Sequence, residues 1–121
     1  MLHQNWRKHQ LDMTMRMVAE LVFRRENVDE VLPEDWQTRG DPLRTELRRL
    51  ITDGDIGKAE NRLFEHLDPA APQLLWLALE FYHHLNRLDD DTLEQGNFSR
   101  EEIGEGLTDV LKQYGIEGLP V

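Results

Sequence analysis

Residues 47–69 read LRRLITDGDIGKAENRLFEHLDP. Two apolar series flank the Gly54-Asp55 pair: Leu47, Leu50 and Ile51 before it, and Ile56, Ala59, Leu63 and Leu67 after it. Spacings of three and four place each series on one face of an α-helix. Gly54 suits the position just past a helix end, where the backbone turns left-handed at little cost without a Cβ. Asp55 is placed to cap the next helix. Asp68-Pro69 stops that helix, because the residue before a proline avoids helical backbone angles. So short a connection predicts an antiparallel hairpin, with Ala59 at the closest approach of its two helices.

Upstream, Asp41 reads as an N-cap and Pro42 as a first helical residue, so the first arm of the hairpin is expected to begin there, with Leu43 on its buried face. Residues 27–41 form the longest connection, punctuated by Pro33 and Gly40. Its Val31, Leu32 and Trp36 suggest that it packs on the core. A long helix is expected over residues 4–26. It carries two apolar stripes on well-separated sides: Leu11, Met15, Val18 and Val22, and Leu2, Trp6, Met13, Met17 and Leu21. A helix apolar on two sides requires two neighbours. A homodimer through the stripe that the hairpins leave bare, Trp6, Met13, Met17 and Leu21 or else Leu11, Met15, Val18 and Val22, would supply the second, and cover by the 27–41 connection is the intramolecular rival.

Downstream, a helix opens at Pro72 and runs to about Leu88. Its LLWLALEFY core is apolar almost all round and predicts the central, most buried helix. Asp89 to Gln95 suggests one helical turn. Ser99 and Glu102 form a capping box, and Phe98 and Ile103 occupy the two positions of a hydrophobic staple. The final helix buries Ile103, Leu107, Val110, Leu111 and Tyr114. Gly115 ends it, with Ile116 folding back. The expectation is therefore all-α and a single domain over 1–121, with the N-terminal helix followed by hairpins at 42–68 and 72–116.

The chain has 14 Lys and Arg against 24 Asp and Glu, a net charge of -10. The charge is uneven: residues 1–60 carry net -2 and residues 61–121 net -8. Such a surface repels phosphate, so nucleic acid and anionic membranes are poor partners. With no cysteine, disulfides, thiolate nucleophiles and Cys-ligated metals are excluded. No apolar run reaches the roughly 20 residues of a membrane span, and the start MLHQNWRKHQLDM has no signal-type apolar segment. A cytoplasmic location is the expectation.

The hairpin at 47–69 resembles a tetratricopeptide-type unit in Gly54-Asp55, Ala59, Leu63 and Asp68-Pro69. Its closing Asp-Pro arrives early, and residues 89–98 interrupt the second hairpin, so the likeness is to a pair and not to an array. Over most of its length the chain also resembles a bacterial family of small proteins of unknown function. The likeness is carried by Leu50-Ile51, Ala59 to Glu65, Phe81 to Asn86, Asn97 to Ile103 and Glu105 to Leu107. It implies a helical cytoplasmic protein and assigns no catalytic residue.

Few groups suggest chemistry. Glu80 and His83 make an E-x-x-H spacing of the kind used twice in di-metal carboxylate bundles, but it occurs once. Asp89, Asp90, Asp91 and Glu94 lack the frame of a calcium loop. Arg44, Arg48 and Arg49 form a basic island suited to a carboxylate-rich peptide, or to pairing within the chain. Asn61 and Asn86 are candidates to tie loop backbone across a hairpin. The one serine, Ser99, is accounted for by capping, and no phosphate-binding glycine loop is present. The sequence favours a non-catalytic protein–protein interaction or scaffold role without cofactors. The alternative is a small metal-dependent enzyme using Glu80 and His83.

Overall fold

The computed structural model describes the backbone of residues 2–25, 28 and 34–121, and the side chains of residues 6–25, 28 and 42–121. Among them are six helices and no strand: α1 (Leu2–Phe23), α2 (Glu34–Thr52), α3 (Ile56–His66), α4 (Pro72–Arg87), α5 (Asp90–Gln95) and α6 (Arg100–Gln113). The helix α4 is central. It packs on α1, α2 and α6, while α2 pairs with α3 and α6 also touches α1.

The hairpin forms as its sequence implies. Gly54 sits at φ +83, and the Asp55 and Gly54 amides donate to the Leu50 and Ile51 carbonyls at 2.8 and 3.0 Å. That is a Schellman end, in which the last carbonyls of α2 find donors before the chain turns back. The same pattern closes α6: Gly115 has φ +72, and Ile116 donates to Leu111 at 2.9 Å. It also closes α5, where Asn97 adopts φ +56 and Phe98 donates to Leu93 at 2.9 Å. Asparagine is among the few non-glycine residues that take this conformation readily. The capping box at Ser99 and Glu102 is formed in both directions, and Phe98 and Ile103 are both buried.

Four expectations are corrected. The helix α2 begins at Glu34, not at Pro42, so Asp41 is no cap and Pro42 lies inside the helix. Pro42 forfeits one backbone hydrogen bond and disfavours helical angles at Asp41, so the helix runs through the pair against its local preference. Asp55 precedes α3 without a side-chain capping bond. The third is that α1 ends at Phe23 because Arg24 turns to φ +58. The last concerns Val22, which is exposed while the other members of its stripe, Leu11, Met15 and Val18, are buried. Val31, Leu32 and Pro33, and the side chains of Leu2 and Trp36, lie outside the described residues, and with them the proposed cover of α1 by the 27–41 connection.

The core gathers Leu11, Met15 and Val18 of α1, Leu47 of α2, Ala59 and Leu63 of α3, nine residues of α4, and Ile103, Leu107 and Val110 of α6. Two polar ties fasten α1 to it. Asn86 donates to the Lys8 carbonyl at 2.9 Å and to the Asp12 carboxylate at 2.8 Å. Thr14, fully buried, donates through its hydroxyl to the Gln10 and Pro120 carbonyls.

Candidate functional site

Among the described residues, α3 and α6 form an acidic concave face. It is an open groove of about 480 Å³. Phe64 and Phe98 supply apolar lining, Glu60 and Asn61 contribute from α3, and Glu102, Glu105 and Asp109 come from α6. Gly106 leaves room for Tyr82 and Glu60 to meet beneath it. A Cβ there would fall inside van der Waals contact of Tyr82 Oη and Glu60 Oε2. Across that bare backbone, the buried Tyr82 hydroxyl donates to Glu60 Oε2 at 2.6 Å.

The electrostatics follow from this crowding. Burial lifts the Glu60 carboxyl above the usual range; the Tyr82 hydrogen bond opposes this, and Glu102, Asp109 and Glu105 add repulsion. Burial likewise pushes the Tyr82 phenol far upward, with the Glu60 charge reinforcing it. The pair is thus an uncharged donor on a carboxylate that resists ionisation, with no nucleophile beside it. Ser99 is committed elsewhere, its hydroxyl accepting from the Glu102 amide at 3.2 Å.

The candidates read from sequence fall on other faces. Arg44 forks onto Glu80, with Nε at 2.7 Å from Oε2 and a second bond of 3.2 Å to Oε1. Both side chains are about one-fifth exposed. The first arginine of the basic island is therefore engaged by the first member of the E-x-x-H pair, across the α2–α4 interface. Arg48 and Arg49 are exposed. His84, beside this fork, is held below the ordinary histidine range by burial and by the positive charges of Arg48, Arg87 and His83. Among the described residues, no three His, Asp or Glu gather in a way that would hold a metal ion. The Asp89 carboxylate caps α5, accepting from the Thr92 amide at 2.7 Å. Asn86 ties elements together, whereas Asn61 is exposed in the groove wall.

The outer stripe of α1 is on the surface: Trp6 is 61%, Met13 52% and Leu21 68% exposed, while Leu11, Met15 and Val18 on the opposite side are fully buried. Met17 is partly buried. At the C-terminal end of this stripe lies an open hollow of about 570 Å³, lined among the described residues by Glu20, Leu21, Arg24 and Arg25.

The groove acids were not foreseen from sequence. Glu102, Glu105 and Asp109 follow one another at spacings of three and four, which places them on one helix face. That spacing was a usable signal; the joining of Glu60 from another helix was not.

No helix among the described residues is long and apolar enough to cross a membrane. The model of DUF6483, a family of unknown function, matches residues 1–115. No solved structure matches the chain.

Proposed function

The chain belongs to that family of unknown function, and since membership assigns no activity we propose that it works as a non-catalytic protein-interaction or scaffold module, docking through the outer face of α1. The observation that carries the proposal is the exposed stripe of Trp6, Met13 and Leu21 on a helix whose other face is already fully used by the core. Burying a large apolar side chain is worth about 1.5–3 kcal/mol, and contiguous apolar patches on soluble proteins commonly mark interaction sites. The two-hairpin arrangement, α2 with α3 and α4 with α6, is compatible with a tetratricopeptide-like pair that α1 completes. On this reading the protein acts in the bacterial cytoplasm.

Site-specific photo-crosslinking tests this. A benzophenone side chain at Met13 should give protein adducts in cells, and the same group at the exposed Glu94 of α5 should not. Equal yields at both positions would reject α1 as the docking face. Metal analysis addresses the enzyme alternative. Stoichiometric iron, manganese or zinc that is lost on Glu80→Gln would move the reading to a metal-dependent enzyme.

A further inference from the structure

We infer that residues 116–121 are a strap, seated in cis on a seam between α1 and α6 that docks a partner's peptide segment when the strap lifts. The segment it takes has the strap's own pattern: apolar residues at the first, fourth and sixth positions, glycine at the third and proline at the fifth. This surface is separate from the outer stripe of α1 and does not depend on it.

The strap is held by few contacts. It is non-helical, with a bend at Gly118. Ile116, Leu119 and Val121 pack against the core but stay partly exposed, and Glu117, Gly118 and Pro120 face solvent. Beyond the Ile116 amide, no amide of the strap donates to a main-chain carbonyl among the described residues. Under it lies a hollow of about 170 Å³, walled by Thr108, Leu111 and Lys112 of α6 and by the three apolar strap side chains. Protein cores are close-packed, so the strap rests on the body without being part of its core. Little apolar burial and a solvated backbone put a segment at the low end of local stability. Gly115 and Gly118, at φ +72 and +85, have nothing within 4 Å of where a Cβ would stand. They are unobstructed pivots.

The seam beneath is built to be uncovered. Thr14 is fully buried on the inner face of α1, where its neighbours one turn away, Leu11 and Val18, are apolar. Its hydroxyl proton is within reach of two acceptors, the Pro120 carbonyl of the strap and the Gln10 carbonyl of its own helix at 3.1 Å. When the strap leaves, the bond to Gln10 remains and water replaces Pro120. An apolar residue there would be left bare instead. The same hydroxyl sets what the seam accepts: a carbonyl at the fifth position. Proline suits that place, because it brings a carbonyl in a fixed direction and no N–H that would need a partner. Flanking apolar side chains then cover Leu111 and the hollow.

Fluorescence anisotropy tests this on the full chain, with a labelled, amidated peptide GIEGLPV, the sequence of residues 115–121. A Leu119→Asp, Val121→Asp variant, which ejects the strap, should bind the peptide at least tenfold more tightly than the parent. A tenfold gain corresponds to a parent strap closed about nine-tenths of the time, since the apparent affinity scales with the open fraction. Gly118→Ala, which strains only the closed form, should shift affinity the same way by less. Adding Thr108→Glu to the ejected variant should abolish the gain. Equal affinity in parent and ejected variant, or binding by neither, would overturn the proposal. A gain that survives Thr108→Glu would place the peptide elsewhere and overturn it too. An ejected variant that loses the parent's helical circular dichroism, with Gly118→Ala binding no better than the parent, would show the strap to be an integral part of the fold.

Discussion

The Arg100 guanidinium, almost fully buried, donates to the main-chain carbonyl of Asn86 at 2.7 Å and to its side-chain carbonyl at 3.2 Å. It also donates to the Leu88 carbonyl and lies 3.3 Å from the Asp90 carboxylate. One side chain from the start of α6 therefore satisfies the open end of α4, where carbonyls lack helical partners. It also holds Asn86, which in turn grips α1. Replacing Arg100 with Met leaves buried acceptors without donors, and the expected loss is about 2–3 kcal/mol of stability. Urea denaturation checks this. Arg100→Lys, with a single donor group in place of the fork, should recover only part of the loss.

Gly106 and Gly57 make opposite predictions for the same change. Alanine at Gly106 would collide with the rigid Tyr82 ring and Glu60, and should cost about 1–3 kcal/mol. Alanine at the exposed Gly57 of α3 meets nothing within 4 Å, so only helix propensity acts and up to about 1 kcal/mol is gained. Thermal unfolding of the two variants should move in opposite directions from the parent.

The Glu60 carboxyl gives a pH dependence with a definite sign. Its folded pKa is raised, so the folded state holds the proton more tightly than the unfolded chain does. That contribution is fully present below the unfolded value, about 4.3, and is lost as pH rises through the folded value. Glu60→Gln keeps an acceptor for Tyr82 and removes the charge. Its melting temperature should exceed the parent's near neutral pH, and the difference should close below about pH 4. A constant offset across that range would show that ionisation of Glu60 is not the cause.

Salt should stabilise the fold. Residues 61–121 carry net -8, and three acids of α6 face Glu60 across the groove. Raising salt from 0.01 to 0.1 M shortens the screening length from about 30 to about 10 Å. The expected outcome is a higher Tm in calorimetry, with a smaller salt response in a Glu105→Gln, Asp109→Asn variant.

Local signals were legible where a residue acts on its own neighbours. Gly54, Gly115 and the Ser99–Glu102 box each named a helix end correctly, because the hydrogen bonds that enforce those ends span five residues or fewer. The LLWLALEFY run of α4, apolar almost all round, likewise foretells its central burial. Asp41-Pro42 misled because the pair marks a helix start by local preference, and α2 runs through it against that preference. Arg100 and the Glu60 groove were beyond reach for another reason. A buried arginine is tolerated only when acceptors from a distant helix surround it, and sequence spacing within α6 says nothing of Asn86. Arg44 and Glu80 suggest different chemistries in the sequence, and their spacing gives no sign that they meet.

The bond from Thr14 to the Pro120 carbonyl spans 106 positions. Its consequence lies in biosynthesis. The helix α1 is made before Asn86, the α6 surface and Pro120, which together seat it. At roughly 5–20 residues per second, that interval is on the order of 5–20 s. Until α4 and α6 are made, Leu11, Met15 and Val18 are as bare as Trp6 and Leu21, and the nascent chain presents a helix-forming segment that is greasy on both sides. Such a segment calls for a chaperone at the ribosome exit, or for slow emergence from it.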